Sequence, residues 1–131
     1  MDDFARLVKA AGDVLGIEGL EPDAGGVVEF VSEEASVTVM HCPDAGDMVL
    51  FSAQIAPAPE YDAAAAWREA LAANTSAAAA SLGAAISIDP DDGSFFFSLY
   101  RPLRLLTTDS FLSTLEGFSS SLLSIRDRLG F

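Results

Sequence analysis

The only histidine and the only cysteine of the chain are adjacent, as His41 and Cys42. A nucleophile and its base must lie within hydrogen-bond reach of each other. These two residues end a segment that alternates like a β-strand, and adjacent side chains of a strand point to opposite faces of the sheet. We therefore expect a structural role for both residues, no nucleophile–base pair and no catalytic residue in this chain.

Metal and phosphate sites are equally poorly supported by the sequence. Zinc requires three or four Cys, His or acidic ligands, and no such cluster is present. Asp89, Asp91 and Asp92 precede Gly93, but they lack the alternating ligands and the closing Glu of a calcium loop, so a solvated turn is the better interpretation. Gly25-Gly26 is followed by no Lys-Ser or Lys-Thr, as a phosphate loop would require. The sequence predicts no metal and no cofactor.

The overall charge excludes further classes of function. The chain has 131 residues and a net charge of −13, which opposes binding to nucleic acid or to an anionic membrane. A single cysteine fits a reducing compartment, and the acidic start does not resemble a signal peptide. No run approaches the roughly 18 apolar residues that span a bilayer, so we expect no membrane insertion.

The acidic residues are unevenly distributed along the chain. Residues 1–60 contain 12 Asp and Glu against Arg6 and Lys9, a balance of −10, whereas residues 61–131 contain 8 acids against 5 Arg, a balance of −3. Two interpretations remain open. The charge supplies solubility alone, or it also steers a partner toward the N-terminal half.

Periodicity predicts a helix followed by three strands in the first half of the chain. Asp3 is a candidate cap for a helix with an apolar stripe that runs from Phe4 to Leu15 and ends at Gly16. Residues 27–31, 36–41 and 48–55 are rich in β-branched or alternating apolar residues, and short turns separate them. Such a series predicts an antiparallel meander.

The second half predicts a helix, a hairpin and a last helix. An alanine-rich helix is expected from Tyr61 to Asn74, and segment 75–84 stays open as helix or loop. Strands 85–89 and 94–101 flank the turn Pro90-Asp91-Asp92-Gly93. Thr108 is a candidate cap for the last helix, whose apolar stripe recurs at steps of three and four residues: Phe111, Leu115, Phe118, Leu122, Ile125 and Leu129. We predict one α+β domain over 1–131 in the order α-β-β-β-α-β-β-α, with three helices packed on one antiparallel twisted sheet.

Apolar surface remains after these elements are placed. Strand 94–101 contains Phe95, Phe96 and Phe97 in succession, so it is apolar on both faces. Either helices cover both faces of the sheet, or one apolar face serves as an interface. Trp67 is either a core residue or the anchor of an interface in which small alanines allow close approach. We predict a homodimer interface formed by Trp67, Ala70, Leu71, Asn74, Phe95 and Phe97.

A block of short motifs resembles the class I type III secretion chaperones, the Tir chaperone (CesT-like) family. The block comprises Leu71-Ala72-Ala73-Asn74, an alanine-rich link, Leu82-Gly83, Ile86-Ser87-Ile88-Asp89-Pro90, Asp92-Gly93 and Tyr100-Arg101-Pro102-Leu103. Leu15-Gly16-Ile17 is similar to the end of the first helix in that family. The resemblance covers almost the whole chain, together with its length, acidity and order of elements.

The resemblance implies a function. Proteins of this family form homodimers in the bacterial cytoplasm and hold an extended N-terminal segment of an effector before export, without ATP or cofactor. An unfolded segment is bound by packing apolar side chains into grooves and by adding a strand to an open sheet edge. The alternative hypothesis is a non-catalytic regulatory or structural module with the same fold and a folded partner.

The candidate effector-binding residues lie on the first helix and the first three strands. The helix offers an apolar face, the first two strands can offer an open edge, and the acidic residues of 1–60 surround this region. Some of these residues are equally consistent with plain core positions. The predicted set is Leu7, Ala11, Leu15, Ile17, Val28, Phe30, Val39 and Leu50.

Overall fold

The computed structural model describes residues 2–75 and 83–131, and in them the elements follow the predicted order. Strand and helix types agree with the periodicity throughout, and most ends differ from the prediction by one or two residues. A short 3-10 turn after the last strand was not predicted. The elements are α1 (Asp3–Leu15), β1 (Val27–Val31), β2 (Ser36–Cys42), β3 (Met48–Ala56), α2 (Ala63–Ala73), β4 (Ala85–Ile88), β5 (Phe95–Pro102), the 3-10 turn Leu103–Leu105 and α3 (Thr108–Leu129).

The helix caps are shifted by one residue from two of the predictions. Asp2, rather than Asp3, caps α1, and its side chain accepts a hydrogen bond of 2.7 Å from the Ala5 amide. Thr107, rather than Thr108, caps α3 in a capping box with Ser110. Both capping residues have extended backbone, which frees the side chain to reach back to the first turn. The prediction that α1 ends at Gly16 is confirmed, since Gly16 has φ 78°.

Helix α2 is shorter than its composition predicts. It begins after Asp62, whose side chain accepts from the Ala65 amide, and it leaves Tyr61 outside the helix and exposed. Of segment 75–84, residues 76–82 lie outside the described residues. The question whether that segment is helix or loop therefore stays open.

The five described strands form one antiparallel sheet in the order β1-β2-β3-β5-β4. Val39 pairs with Val28 on one side and Phe51 on the other, and Phe51 in turn pairs with Leu99. Because side chains alternate along each strand, these residues share one face with buried neighbours. We call this the inner face, and it comprises Val28, Phe30, Val37, Val39, Val49, Phe51, Ala53, Phe95, Phe97 and Leu99.

Aromatic rings join the inner face to α3. The ring of Phe97 stacks on Phe118 at a centroid distance of 4.9 Å, and Phe51 lies 5.5 Å from Phe111 and 6.2 Å from Phe118. Burial of each such side chain stabilises the fold by about 2–3 kcal/mol. Helix α1 packs against α3 on the same face, and α2 contacts α3 and β4.

The opposite face of the sheet, which we call the outer face, is only partly covered. Its apolar members Met40, Leu50 and Phe96 are half-buried, and Tyr100 is exposed. Polar residues such as Ser52 and Ser98 lie between them. Since the described helices pack on the inner face, the first of the two alternatives, that helices cover both faces, is not met in the described residues.

Candidate functional site

An apolar groove opens between the end of α1, strand β1 and helix α3. It encloses a cavity of about 290 Å³. Leu15 and Ile17 are 49% and 42% exposed, whereas Phe30 beneath them is 9% exposed. The lining residues are Leu15, Ile17, Glu29, Phe30, Val31, Ser32, Ala35, Val37, Leu115 and Ser119.

Glycine at the end of α1 places Leu15 and Ile17 side by side on the groove. The Gly16 amide donates to the Asp13 carbonyl, and the Ile17 amide donates to the Gly12 carbonyl at 2.8 Å. This turn requires the positive φ of Gly16, which a side chain would oppose. The chain reverses directly after the helix, so both apolar side chains face the same opening.

The free edge of β1 forms one wall of this groove. The outward backbone groups of Val27 are hydrogen-bonded to Asp23. The Asp23 amide donates to the Val27 carbonyl, and the Asp23 carboxylate accepts from the Val27 amide. In the part of the chain that the structure describes, β1 pairs with β2 alone, so the edge is open from Glu29 to Val31. Unpaired strand edges accept an added strand.

The rim of the groove is acidic. Glu29 is the one charged residue among those that line it, and its carboxylate accepts a hydrogen bond of 3.1 Å from the Ser36 hydroxyl. Glu33 and Glu34 follow in the β1–β2 turn and are exposed, as is Glu18 next to Ile17. An acidic rim attracts cationic groups and repels anionic ones.

The structure divides the predicted effector-binding residues into three groups. Leu15, Ile17 and Phe30 line the groove together. Leu50 points to the outer face, away from the groove, because the alternation of β3 places it opposite to Phe51. The remaining four are core residues rather than surface, since they face the interior between the sheet and the helices: Leu7, Ala11, Val28 and Val39.

The far edge of the sheet, at β4, is interrupted by a side chain. The Asn74 side chain donates to the Ile86 carbonyl at 3.0 Å and accepts from the Ile86 amide at 2.5 Å. Asn74 thus binds both polar backbone groups of the residue opposite Phe97. It was predicted to belong to a dimer interface, but its side chain serves the edge of its own sheet.

Helix α2 presents an apolar surface of its own. Trp67 and Leu71 are four residues apart on one side of the helix and are 40% and 61% exposed. Ala70, by contrast, faces the core and is buried. Phe95 and Phe97 are also buried, on the inner face, so these three residues of the predicted dimer interface form part of the chain's own core.

His41 makes structural contacts in the described residues. Its ring stacks on Phe4 at a centroid distance of 5.1 Å, and its Nε2 lies 2.6 Å from Asp47 Oδ1. Cys42 lies one position further along β2, with its Sγ 3.9 Å from the Met40 carbonyl oxygen. His41 therefore connects α1 to the β2–β3 turn, whereas the Cys42 contact stays within β2.

The carboxylates of the acidic turn before β5 accept hydrogen bonds from backbone amides. Asp89 accepts from the Asp91 amide, and Asp92 accepts from both the amide and the hydroxyl of Ser94. The hydroxyl of Ser94 is the main cause that lowers the pKa of Asp92 below its usual 3.8. In the described residues, no three His, Cys, Asp or Glu side chains come together in a way that could hold a metal ion.

No helix in 2–75 or 83–131 is both long enough and apolar enough to cross a membrane.

Comparisons with known proteins identify the fold and the family. A chain of the HopA1-SchA chaperone-effector complex is 16% identical, with 95% of this chain and 94% of that chain covered and a TM-score of 0.73. A chain of the ExsC-ExsE complex is 17% identical, with coverage of 95% and 92% and a TM-score of 0.78. No curated protein sequence matches. The family model of the Tir chaperone protein (CesT) family matches residues 6–126, and this chain therefore belongs to that family.

Proposed function

We propose that this chain is a type III secretion chaperone that binds an extended N-terminal segment of an effector in the groove between α1, β1 and α3. One observation carries the proposal: the open edge of β1 lies beside apolar side chains that can receive alternate residues of an added strand. Membership of the Tir chaperone protein (CesT) family and the similarity to a chain of a chaperone-effector complex support a polypeptide partner.

The bound segment is expected to be short where it pairs with the sheet. The backbone groups of Val27, Glu29 and Val31 point away from β2. Those of Val27 are already bonded to Asp23, so Glu29 and Val31 remain for an added strand. Affinity then depends mainly on apolar side chains that enter between Leu15, Ile17 and Phe30. A segment with basic residues next to its apolar ones matches the acidic rim.

The remainder of the proposal concerns assembly and location. We propose a homodimer of a single-domain subunit, in the bacterial cytoplasm, that acts without ATP, cofactor or catalysis. The exposed Trp67 and Leu71 of α2 are the residues that support such an interface. Family membership supports the location.

Co-purification from the native bacterium, followed by calorimetry, tests the proposal. The partner is identified by mass spectrometry, and its N-terminal segment is titrated into the wild type and two variants. Leu15→Asp introduces a charge into the groove, whereas Val14→Asp introduces the same charge at a neighbouring position that is 67% exposed and outside the groove. We expect Leu15→Asp to weaken binding at least roughly tenfold, since an apolar side chain is worth about 1.5–3 kcal/mol when buried.

Two outcomes would contradict the proposal. A partner that binds only as a folded protein would favour a regulatory or structural module instead. Equal affinity of the folded Leu15→Asp and Val14→Asp variants would exclude this groove as the binding site.

A further inference from the structure

Arg126 in the last turns of α3 binds three backbone carbonyls from two other parts of the chain. Its Nε donates to the Ile55 carbonyl at 3.2 Å, and one terminal nitrogen donates to the Gln54 carbonyl at 2.6 Å. The other terminal nitrogen donates to the Glu34 carbonyl at 3.1 Å. The guanidinium fork is the side chain that can bind three acceptors at once from a fixed plane.

The three carbonyls lie where the pairing of β2 with β3 ends. The last described pair between these strands is Thr38 with Ser52, and a register shift occurs on β3 between Gln54 and Ala56. Consecutive carbonyls of a regular strand point to opposite edges, but at this bulge a single guanidinium reaches both Gln54 and Ile55. Arg126 therefore occupies the gap between the end of β3 and the turn that precedes β2.

That turn also forms part of the groove. Within it, the Ser32 amide donates to the Ala35 carbonyl at 2.8 Å, and the Ala35 amide donates to the Ser32 hydroxyl at 3.1 Å. Ser32 and Ala35 line the cavity from the β1 side, and Ser119, two turns before Arg126, lines it from α3. Through Glu34, Arg126 connects the two walls.

We propose that Arg126 is a positioning residue of the groove, which holds the β1–β2 turn and the open β1 edge at a fixed distance from α3. Its role in binding rests on the proposed function, whereas its hold on the turn does not. None of its three described partners is a carboxylate, although the protein has a net charge of −13. The guanidinium instead donates to neutral backbone oxygens. A change at Arg126 therefore acts on the groove without any contact between Arg126 and the bound segment.

The test compares Arg126→Gln with Arg128→Gln. The second variant removes the same charge from the same last turn of α3, at a position that is exposed. Arg126→Lys, which keeps the charge but not the fork, is the conservative variant. Hydrogen exchange of the Ser32 and Ala35 amides reports on the turn, and the Phe51 and Leu99 amides report on the centre of the sheet. Affinity is measured by fluorescence anisotropy with a labelled synthetic peptide in which Leu and Lys alternate.

We expect Arg126→Gln to accelerate exchange in the turn roughly tenfold, as the loss of one hydrogen bond from a charged donor would, with no change at Phe51 and Leu99. We expect the affinity for the peptide to fall by about the same factor relative to Arg128→Gln. Both variants have the same net charge, so this comparison removes the general attraction of the basic peptide. Arg126→Lys restores part of both.

Other outcomes would overturn the proposal. Equal acceleration at all four amides would assign Arg126 to general stability, and a loosened turn with unchanged peptide affinity would separate it from binding. If the wild type itself leaves the peptide unbound, the proposed function of this groove and the role of Arg126 in binding both fail. The exchange pattern then still decides whether Arg126 holds the turn.

Discussion

The side-chain amide of Asn74 pairs with the backbone of Ile86 as a strand residue would, donating at 3.0 Å and accepting at 2.5 Å. Both groups of Ile86 lie at the centre of the β4 edge. The two edges of the sheet therefore differ, since β1 is open at Glu29 and Val31 while β4 is interrupted at its middle. Position 74 is where α2 ends, so the end of that helix and the edge of the sheet are fixed together.

Replacement of Asn74 should expose the β4 edge. Asn74→Ala leaves the amide and the carbonyl of Ile86 without these partners, and we expect a loss of about 1–3 kcal/mol in the free energy of unfolding. Thr75→Ala is the matched control, because the described hydrogen bond of the Thr75 hydroxyl goes to the Ala72 carbonyl of the same helix and not to the sheet. Urea denaturation measures the difference. Equal stability of the two variants would show that the Asn74 pair contributes little.

Trp67→Asp should separate the proposed homodimer into monomers. Burial of one large aromatic side chain is worth roughly 2–3 kcal/mol, and each dimer loses two. Tyr61→Asp, at an exposed aromatic residue outside α2, should leave the dimer intact. Light scattering at tens of micromolar gives the mass, and a wild-type monomer at that concentration would refute the dimer itself.

Phe30→Asp should unfold the protein rather than only weaken binding. Phe30 is nearly buried and its ring lies 5.9 Å from that of Phe111, so a carboxylate there has no compensating partner among its described neighbours. We expect a loss of at least about 3–5 kcal/mol, the range found for removal of a buried Phe. Circular dichroism during heating measures it. A folded variant of normal stability would mean that the groove opens wider than this structure shows.

His41→Ala and Cys42→Ser should leave partner binding intact. Their described contacts are structural, so we expect a cost of about 1 kcal/mol for Cys42→Ser and somewhat more for His41→Ala, which loses Phe4 and Asp47. Thermal unfolding and calorimetry on the same samples separate the two effects. Loss of binding by either variant in its folded form would reveal a role that the geometry does not suggest.

The lowered pKa of Asp92 should depend on Ser94. The Ser94 hydroxyl is its largest cause, so Ser94→Ala should raise the pKa toward 3.8. A carboxyl whose pKa is lower in the folded state contributes stability that is present above its unfolded pKa and is lost as the pH falls through the folded value. NMR titration of the Asp92 carboxyl measures the shift, and an unchanged midpoint would assign the effect to the backbone amide instead.

The order of elements could be predicted because most elements have a clear period and α2 has a helix-favouring composition. The stripe from Phe111 to Leu129 and the alternation in β3 match the structure, and Gly16 ends α1 as expected. The caps were displaced by one residue because Asp2 and Asp3, like Thr107 and Thr108, are adjacent residues that can each cap a helix. Asp2 and Thr107 have the extended backbone of a capping residue, whereas Asp3 and Thr108 are already helical.

The candidate sites were harder to predict, because periodicity shows that a residue is apolar but not which apolar face is covered. Val28 and Val39 have the same pattern as an exposed binding strand, yet both are buried in the core. Ala70 and Trp67 lie on one short helix, and only contacts distant in sequence place Ala70 inward. Arg126 lies in the last turn of α3, where a cation suits the helix dipole, and nothing local in the sequence indicates its bonds to residues 34, 54 and 55.

The unequal sheet edges also bear on how this protein avoids uncontrolled polymerisation. A sheet with two open edges can add copies of itself indefinitely and grow into a fibre. Here the Asn74 side chain occupies the backbone groups of Ile86 on the β4 edge, so in the described residues the two edges are not equally able to pair with another strand. An open β1 edge beside an obstructed β4 edge allows pairing with an added strand, while growth of copies through both edges is disfavoured.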